Sequence, residues 1–142
     1  MIVSLDLDDP KQARADEKLR HEIVAWLTTV TPDGQPQSTP IWFLWDGSTF
    51  AFYSQPGRPK LANIAVDPKV ALHLVGDPDG EDIVAIEGVA ALDPVAPPLD
   101  AVPAYVEKYG SSIEGLGWTP ASMAADYSVA LRVTPTRFRV IS

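Results

Sequence analysis

The sequence predicts a small antiparallel β-barrel, closed or partly closed, with a few short helices. Three observations support this fold class. Five or six runs rich in β-branched and aromatic residues follow one another along the chain. Turn sequences typical of hairpins, such as Pro32-Asp33-Gly34 and Asp46-Gly47-Ser48, separate the first of these runs. The length of 142 residues suits one compact domain with a substantial core.

A short helix and three strands are predicted for the first part of the chain. The helix has mixed charges and lies within residues 10–20. The strands are rich in β-branched and aromatic residues and are bounded by turn residues. They cover residues 23–31, 36–45 and 49–54.

A second short helix is predicted directly after the third strand. Pro59 is accepted in its first turn, because the missing N–H of a proline would be unpaired there. The apolar residues that recur at helical spacing, and are expected to face the core, are Leu61, Ile64 and Ala65. Lys60 and Asn63 are three residues apart and are expected to share the opposite face.

Three more strands and further helices are predicted for the second half. The strands cover residues 70–75, 82–92 and 128–141. A proline-rich connection over residues 93–103 precedes the helical segment AVPAYVEKYG, and residues 111–127 are expected to hold one more helix. In the last strand Arg137 and Arg139 share one face, and Phe138 and Val140 share the other.

Composition excludes several classes of function. The formal charge of -8 argues against nucleic acid as a partner, because binding it needs a basic surface. No stretch approaches the roughly 20 apolar residues of a membrane span, and the N-terminus does not resemble a signal peptide. With no cysteine and two histidines, no metal site is expected. The protein is therefore expected to be soluble and cytoplasmic.

The cations of the central region are concentrated at one place. Between Arg20 and Lys108 the chain carries three, Arg58, Lys60 and Lys69, and all lie within twelve residues. They flank the predicted second helix, whose N-terminal N–H groups favour an anion. Lys69 is more typical of an exposed lysine at the start of a strand. The cluster predicts a phosphate-binding corner, and the alternative is a surface loop with two basic residues.

Neighbouring residues suit this corner and the strand before it. Ser54 and Asn63 offer hydrogen bonds, and Gly57 allows a close approach of the backbone. Pro40 removes a ladder donor from the second strand, which indicates an edge, a bulge or a place where a ligand meets the backbone. Trp42 and Trp45 are more typical of core or interface residues. An apolar strand beside an anion corner is what a planar cofactor with a phosphate requires.

The blocks LTTVTPDGQPQSTPIWF and SQPGRPKLANIAVDPKVAL carry a specific combination of motifs. They join Asp-Gly-x-Pro, Pro-x-Trp-Phe and Lys-x-x-Asn-Ile-x-x-Asp-Pro, and the combination is much more specific than any one piece. On these motifs the sequence resembles the split-barrel flavoproteins related to pyridoxamine-phosphate oxidase. It is most similar to the actinobacterial branch that uses the deazaflavin coenzyme F420.

The resemblance implies a mainly β fold, a six-stranded antiparallel split β-barrel, in a homodimer with cofactor sites at the interface. Residues 1–142 would form one cofactor-binding domain. The strand-to-helix corner would hold the cofactor phosphate through Ser54, Arg58, Lys60 and Asn63. The second strand would lie along the tricyclic ring through Thr39, Pro40, Ile41 and Trp42.

Two departures from the family narrow these expectations. Many relatives carry an arginine where this chain has Ala62, so the corner has one cation fewer for a long anionic tail. The chain finishes RFRVIS, without the Arg-Leu-x-Pro of true pyridoxamine phosphate oxidases, and vitamin B6 oxidation is therefore disfavoured.

Three functions follow from the resemblance. The first is an F420-dependent reductase that passes hydride to a conjugated small molecule. The second is an FMN-dependent oxidoreductase on the same scaffold. The third is a non-enzymatic protein that binds a flavin, haem or similar planar ligand. No catalytic residue is assigned, because a cofactor ring carries hydride chemistry while the protein orients and shields it.

Overall fold

The computed structural model describes residues 3–141, which form seven strands, four α-helices and one short 3-10 helix. The strands are β1 (Ala25–Val30), β2 (Pro36–Ile41), β3 (Leu44–Trp45), β4 (Phe50–Ser54), β5 (Lys69–His73), β6 (Ile83–Leu92) and β7 (Val129–Ile141). The helices are α1 (Pro10–His21), α2 (Pro59–Val66), the 3-10 turn (Leu99–Ala101), α3 (Pro103–Gly115) and α4 (Pro120–Asp126). None of these helices has the length and apolar content needed to cross a bilayer.

All seven strands belong to one curled antiparallel sheet. Their order is β2-β1-β5-β6-β7-β4-β3, and every neighbouring pair is antiparallel. If this sheet were flat, β2 and β3 would lie roughly 29 Å apart at opposite edges. Only Trp42 and Phe43 join them, and so short a connection spans about 10 Å. The sheet must therefore curl until its two edges approach, which makes it a half-barrel.

The strand count differs from the predicted six, because residues 36–45 form two strands instead of one. The chain leaves one sheet edge at Ile41 and joins the other edge at Leu44. At this crossover Phe43 bonds to side chains of α3: its N–H donates to the Tyr109 hydroxyl (2.8 Å), and its carbonyl accepts from Lys108 Nζ (2.9 Å). With these partners the Phe43 backbone does not need a strand neighbour.

Two apolar clusters lie on opposite faces of β3 and β4. Alternate residues of a strand face opposite sides, and here Trp45 and Phe52 enter the barrel while Leu44 and Tyr53 contact the helices. The barrel cluster includes Leu19 of α1, which is almost fully buried. The second cluster packs α3, α4 and the 3-10 turn against the barrel wall, and its buried members are Leu99, Tyr105, Tyr109, Ile113 and Met123.

The helices confirm most of the sequence predictions and correct one detail. The helix predicted from AVPAYVEKYG is α3, and the additional helix is α4. In α2, however, Ala65 is exposed and Asn63 is buried beside Ile64. The prediction that Asn63 lies on the polar face was wrong, because β1 and β2 supply polar partners for its amide on the buried side.

Candidate functional site

A cavity of about 860 Å³ opens beside β2. One wall is the edge strand, from Gln37 through Ile41, continued by Trp42. Arg58 and Lys60 lie at the turn between β4 and α2. The remaining lining side chains come from β4, α3, α4 and the segments between them, and they include Tyr53, Tyr105, Met123 and Tyr127. A strand edge, two cations and an aromatic wall thus share one cavity.

Six of the eight residues predicted to bind a cofactor line this cavity. They are Thr39, Pro40, Ile41, Trp42, Arg58 and Lys60. The first four are consecutive: three belong to β2 and Trp42 follows directly, so one extended segment places them in the wall. The two cations follow a turn in which Gly57 has φ +75°, a conformation that side-chain-bearing residues rarely adopt. The turn places the start of α2 at the end of the cavity.

The other two predicted residues lie behind the wall. The Ser54 side chain is buried, and its hydroxyl donates to the Gln55 carbonyl at 2.8 Å. The buried Asn63 amide donates to the Thr29 hydroxyl (3.0 Å) and to Gln37 Oε1 (2.9 Å). Both acceptors line the cavity. Asn63 therefore supports the wall by holding Gln37 and does not face the cavity.

A hydrogen-bonded chain connects the cationic corner to α4. The Arg58 guanidinium donates to Gln55 Oε1 through both Nε, at 2.8 Å, and Nη2. The Gln55 amide nitrogen in turn donates to the carboxylate of Asp126, the last residue of α4. This chain holds the guanidinium at the cavity and draws α4 towards it. Gln55 was not predicted, because its partner is 71 residues away in sequence.

The charged form of Lys60 is destabilised in the folded protein. Its side chain is partly buried, and burial lowers its pKa below the usual range. The neighbouring positive charge of Arg58 lowers the pKa further. Both effects destabilise the ammonium, and an anion bound between the two cations would relieve them. Lys69, by contrast, is exposed at the start of β5 and does not line the cavity, as predicted.

Three tyrosines, Tyr53, Tyr105 and Tyr127, also line the cavity. Tyr105 is buried, its ring meets Tyr53 edge-on at 5.4 Å, and burial raises its pKa. The Tyr53 hydroxyl donates to the Pro97 carbonyl at 2.8 Å. Tyr109 is a packing residue, since it is fully buried and stacks on Trp42 with ring centroids 4.6 Å apart. Burial also raises the pKa of Tyr53, so the Tyr53 and Tyr105 hydroxyls keep their protons near neutral pH.

Other candidate groups lie away from the cavity. His21 and His73 are exposed on α1 and β5. Within the described residues, no group of three or more histidine, aspartate or glutamate side chains is placed to hold a metal ion. Trp118 is also outside the lining.

Comparison with known proteins identifies the family. The family profile described as pyridoxamine 5'-phosphate oxidase matches residues 12–142, which is most of the chain. The chain belongs to the pyridoxamine 5'-phosphate oxidase-like family. Its curled antiparallel sheet is the split-barrel fold of that family. No curated protein sequence matches at a significant level.

Solved structures resemble the chain over nearly its whole length. An F420 reductase is 29% identical, with a TM-score of 0.64 over 87% of this chain and 94% of its own. A conserved hypothetical protein of Mycobacterium tuberculosis is 23% identical, with a TM-score of 0.74 over 99% of this chain and 86% of its own. The haem storage protein HutZ of Vibrio cholerae is 15% identical, with a TM-score of 0.62 over 94% of each chain. The last two show the fold alone.

Proposed function

We propose that this family member is an F420-dependent oxidoreductase that transfers hydride from the reduced deazaflavin to a conjugated small molecule. The observation that carries the proposal is the shared cavity, in which the β2 edge and the two cations of the β4–α2 turn stand together. The 29% identity to an F420 reductase supports the choice of the deazaflavin. Hydride transfer is chemistry that the cofactor supplies when it is bound.

The residues present suit such a cofactor. The volume of about 860 Å³ lies in the roughly 300–1,000 Å³ range of ligand pockets. Arg58 and Lys60 offer a fork and a point charge to a phosphate, and both lie at the N-terminus of α2, where the helix dipole favours an anion. The β2 edge offers backbone groups to a planar ring. Burial and the nearby charge of Arg58 lower the pKa of Lys60, and a bound phosphate would offset both effects.

The chain's own part in the reaction is to bind, orient and exclude water. The two cations would hold the phosphate end, and the β2 edge would hold the ring. Tyr105 and Met123 contribute apolar surface to the lining, which would help to exclude water from the bound ring. No residue of the lining is placed as an acid or base, and we assign none.

An FMN-dependent oxidoreductase is the second candidate, because a flavin presents a phosphate to the same cations and the family is named after a flavin enzyme. A non-enzymatic flavin or haem carrier is the third. The fold likeness to HutZ is the observation behind it, and at 15% identity it concerns the scaffold only.

A binding titration with F420 and FMN tests the proposal and its phosphate assignment. Lys60→Ala is expected to weaken F420 binding about tenfold, since a charge-assisted hydrogen bond is lost from a partly buried site. Lys69→Ala is the matched control, and its affinity is expected to stay unchanged. Unchanged affinity in Lys60→Ala contradicts the assignment. Tighter binding of FMN than of F420 by the unmodified protein favours the second candidate.

We further propose a cytoplasmic homodimer with the cofactor site completed by the second subunit, as the family resemblance implies. Sedimentation equilibrium at micromolar concentration is expected to give twice the chain mass of 15.3 kDa. A monomer that still binds F420 tightly would contradict this assembly.

A further inference from the structure

The edge of β2 that faces away from β1 has few hydrogen-bond donors, because of where its prolines lie. In the register with β1, Pro36 is opposite Val30 and Pro40 is opposite Trp26. Antiparallel pairs alternate between those that exchange two N–H···O bonds and those that exchange none. A proline cannot donate, so both proline pairs must be of the second kind. The backbone nitrogens and carbonyls of residues 36, 38 and 40 therefore point outward, that is, away from β1.

Two further contacts agree with this alternation. At the hairpin turn the Thr31 N–H donates to the Gln35 carbonyl at 2.9 Å, which makes the odd-numbered residues of this strand the inward-bonding ones. The hydroxyls of Thr28 and Ser38 are 2.8 Å apart, and side chains approach most closely in pairs without backbone hydrogen bonds. The outward edge of β2 thus presents three carbonyls but one N–H, that of Ser38.

Only part of this outward edge lines the cavity. Ser38 and Pro40 line it, whereas Pro36 does not. The portion inside the cavity therefore offers the Ser38 N–H, two outward carbonyls, and no donor at Pro40. Because β2 ends the sheet among the described strands, no neighbouring strand covers these groups there.

A flavin and its 5-deaza analogue differ at one ring position, position 5. A flavin has a nitrogen there, N5, whose lone pair accepts a hydrogen bond from water. A deazaflavin has a C–H group instead, which accepts none and tolerates a nearby carbonyl oxygen. When a flavin leaves water for a surface poor in donors, the lost hydrogen bond weakens its binding. The deazaflavin loses nothing at this position.

We infer that Pro40 is a specificity-determining residue that favours a deazaflavin over a flavin by withholding a backbone donor from the ring-binding edge. This inference rests on the proposed function, in which the ring lies against β2. It concerns the ring alone, and it is independent of the phosphate contacts of Arg58 and Lys60.

The sharpest test compares two ligands that differ only at this atom. FMN and 5-deaza-FMN have the same phosphate tail, so the ratio of their dissociation constants isolates the ring. The unmodified protein is expected to bind 5-deaza-FMN about fivefold to tenfold more tightly than FMN, which corresponds to one lost hydrogen bond. Equal affinities, or tighter binding of FMN, would overturn the inference.

A pair of variants locates the effect. Pro40→Ala restores an outward N–H inside the cavity, and it is expected to bring the two dissociation constants within about twofold of each other. Pro36→Ala restores an N–H of the same orientation outside the cavity, and the original preference is expected to remain. A preference that survives Pro40→Ala, or one that Pro36→Ala removes equally, would overturn the assignment to Pro40.

The outcomes separate this inference from the proposed function. If the unmodified protein binds neither F420 nor FMN, the proposed function fails and the inference fails with it. If it binds F420 but shows no preference between FMN and 5-deaza-FMN, the inference alone fails. The comparison of the two ligands needs no variant, so it decides the question even if Pro40→Ala does not fold.

Discussion

Lys108 has an unusual pKa because it is partly buried at a structural contact. Its ammonium donates to the Phe43 carbonyl (2.9 Å) and lies 4.0 Å from the centre of the Phe43 ring. Burial lowers its pKa to about 8, and the Glu22 carboxylate offsets only part of that effect. Lys108 does not line the cavity. A lysine with a lowered pKa therefore lies at the crossover between β2 and β3 as well as at the turn between β4 and α2.

This pKa predicts a rise in stability between pH 8 and pH 10. In that range the unfolded chain, with a lysine pKa near 10.5, binds the proton that folded Lys108 has lost, so the free energy of unfolding increases with pH. Lys108→Met removes this contribution. The excess free energy of unfolding of the unmodified protein over the variant is expected to grow by about 1 kcal/mol from pH 8 to pH 10, with solvent screening included.

Urea unfolding at several pH values measures this difference. Lys11→Met, at an exposed position of α1, is the control and should give a curve parallel to that of the unmodified protein. The range stops at pH 10 because the buried tyrosines, whose pKa values are raised, act in the opposite direction above it. Parallel curves for Lys108→Met would contradict the assigned pKa.

At the scale of the elements, α3 holds the crossover between the two sheet edges. The Tyr109 oxygen accepts from the Phe43 N–H at 2.8 Å, and its O–H lies 2.7 Å from the Ile23 carbonyl and 3.0 Å from that of Phe43. Its ring stacks on Trp42, a residue of the cavity wall. One helical side chain thus connects the position of α3 to the geometry of the site.

Removal of this hydroxyl is expected to destabilise the fold. Tyr109→Phe removes the partner of the buried Phe43 N–H and of the Ile23 carbonyl, and the free energy of unfolding should fall by about 1–3 kcal/mol. Tyr53→Phe is the matched control. Its hydroxyl bonds to the exposed Pro97 region, where water replaces the partner, and we expect a loss below about 1 kcal/mol. Chemical denaturation measures both, and equal losses would argue against a special role for the crossover.

At the scale of the whole molecule, the curl of the sheet assembles the site. It brings β2 and β3 close enough to be joined by two residues, and α3 and α4 then pack on the outer face of β3 and β4. This packing brings Tyr105 and Met123 to a cavity whose other wall comes from β2, and it brings Asp126 to the Gln55 side chain that lines the cavity. Residues of β2 and residues about 65 to 90 positions later in the sequence therefore line the same cavity.

The sequence predicted those features that depend on neighbours in the chain. Alternating apolar residues and Asp-Gly turns located the strands, Pro59 located the start of α2, and the cation cluster drew attention to Arg58 and Lys60, which line the cavity. Alternation and turn chemistry are local, since they act through the conformations of a few consecutive residues. The motifs were specific enough to indicate the family that the comparison confirms.

Only the tertiary structure decided features that depend on distant partners. The break after Ile41 follows from the approach of two sheet edges, and local propensity favours a continuous strand there. Asn63 is buried because Thr29 and Gln37 are present to bond it. The donor-poor edge at Pro40 needed both kinds of information: the proline is visible in the sequence, but its outward direction follows from the register with β1. Register and burial are properties of the assembled sheet, and no short segment determines them alone.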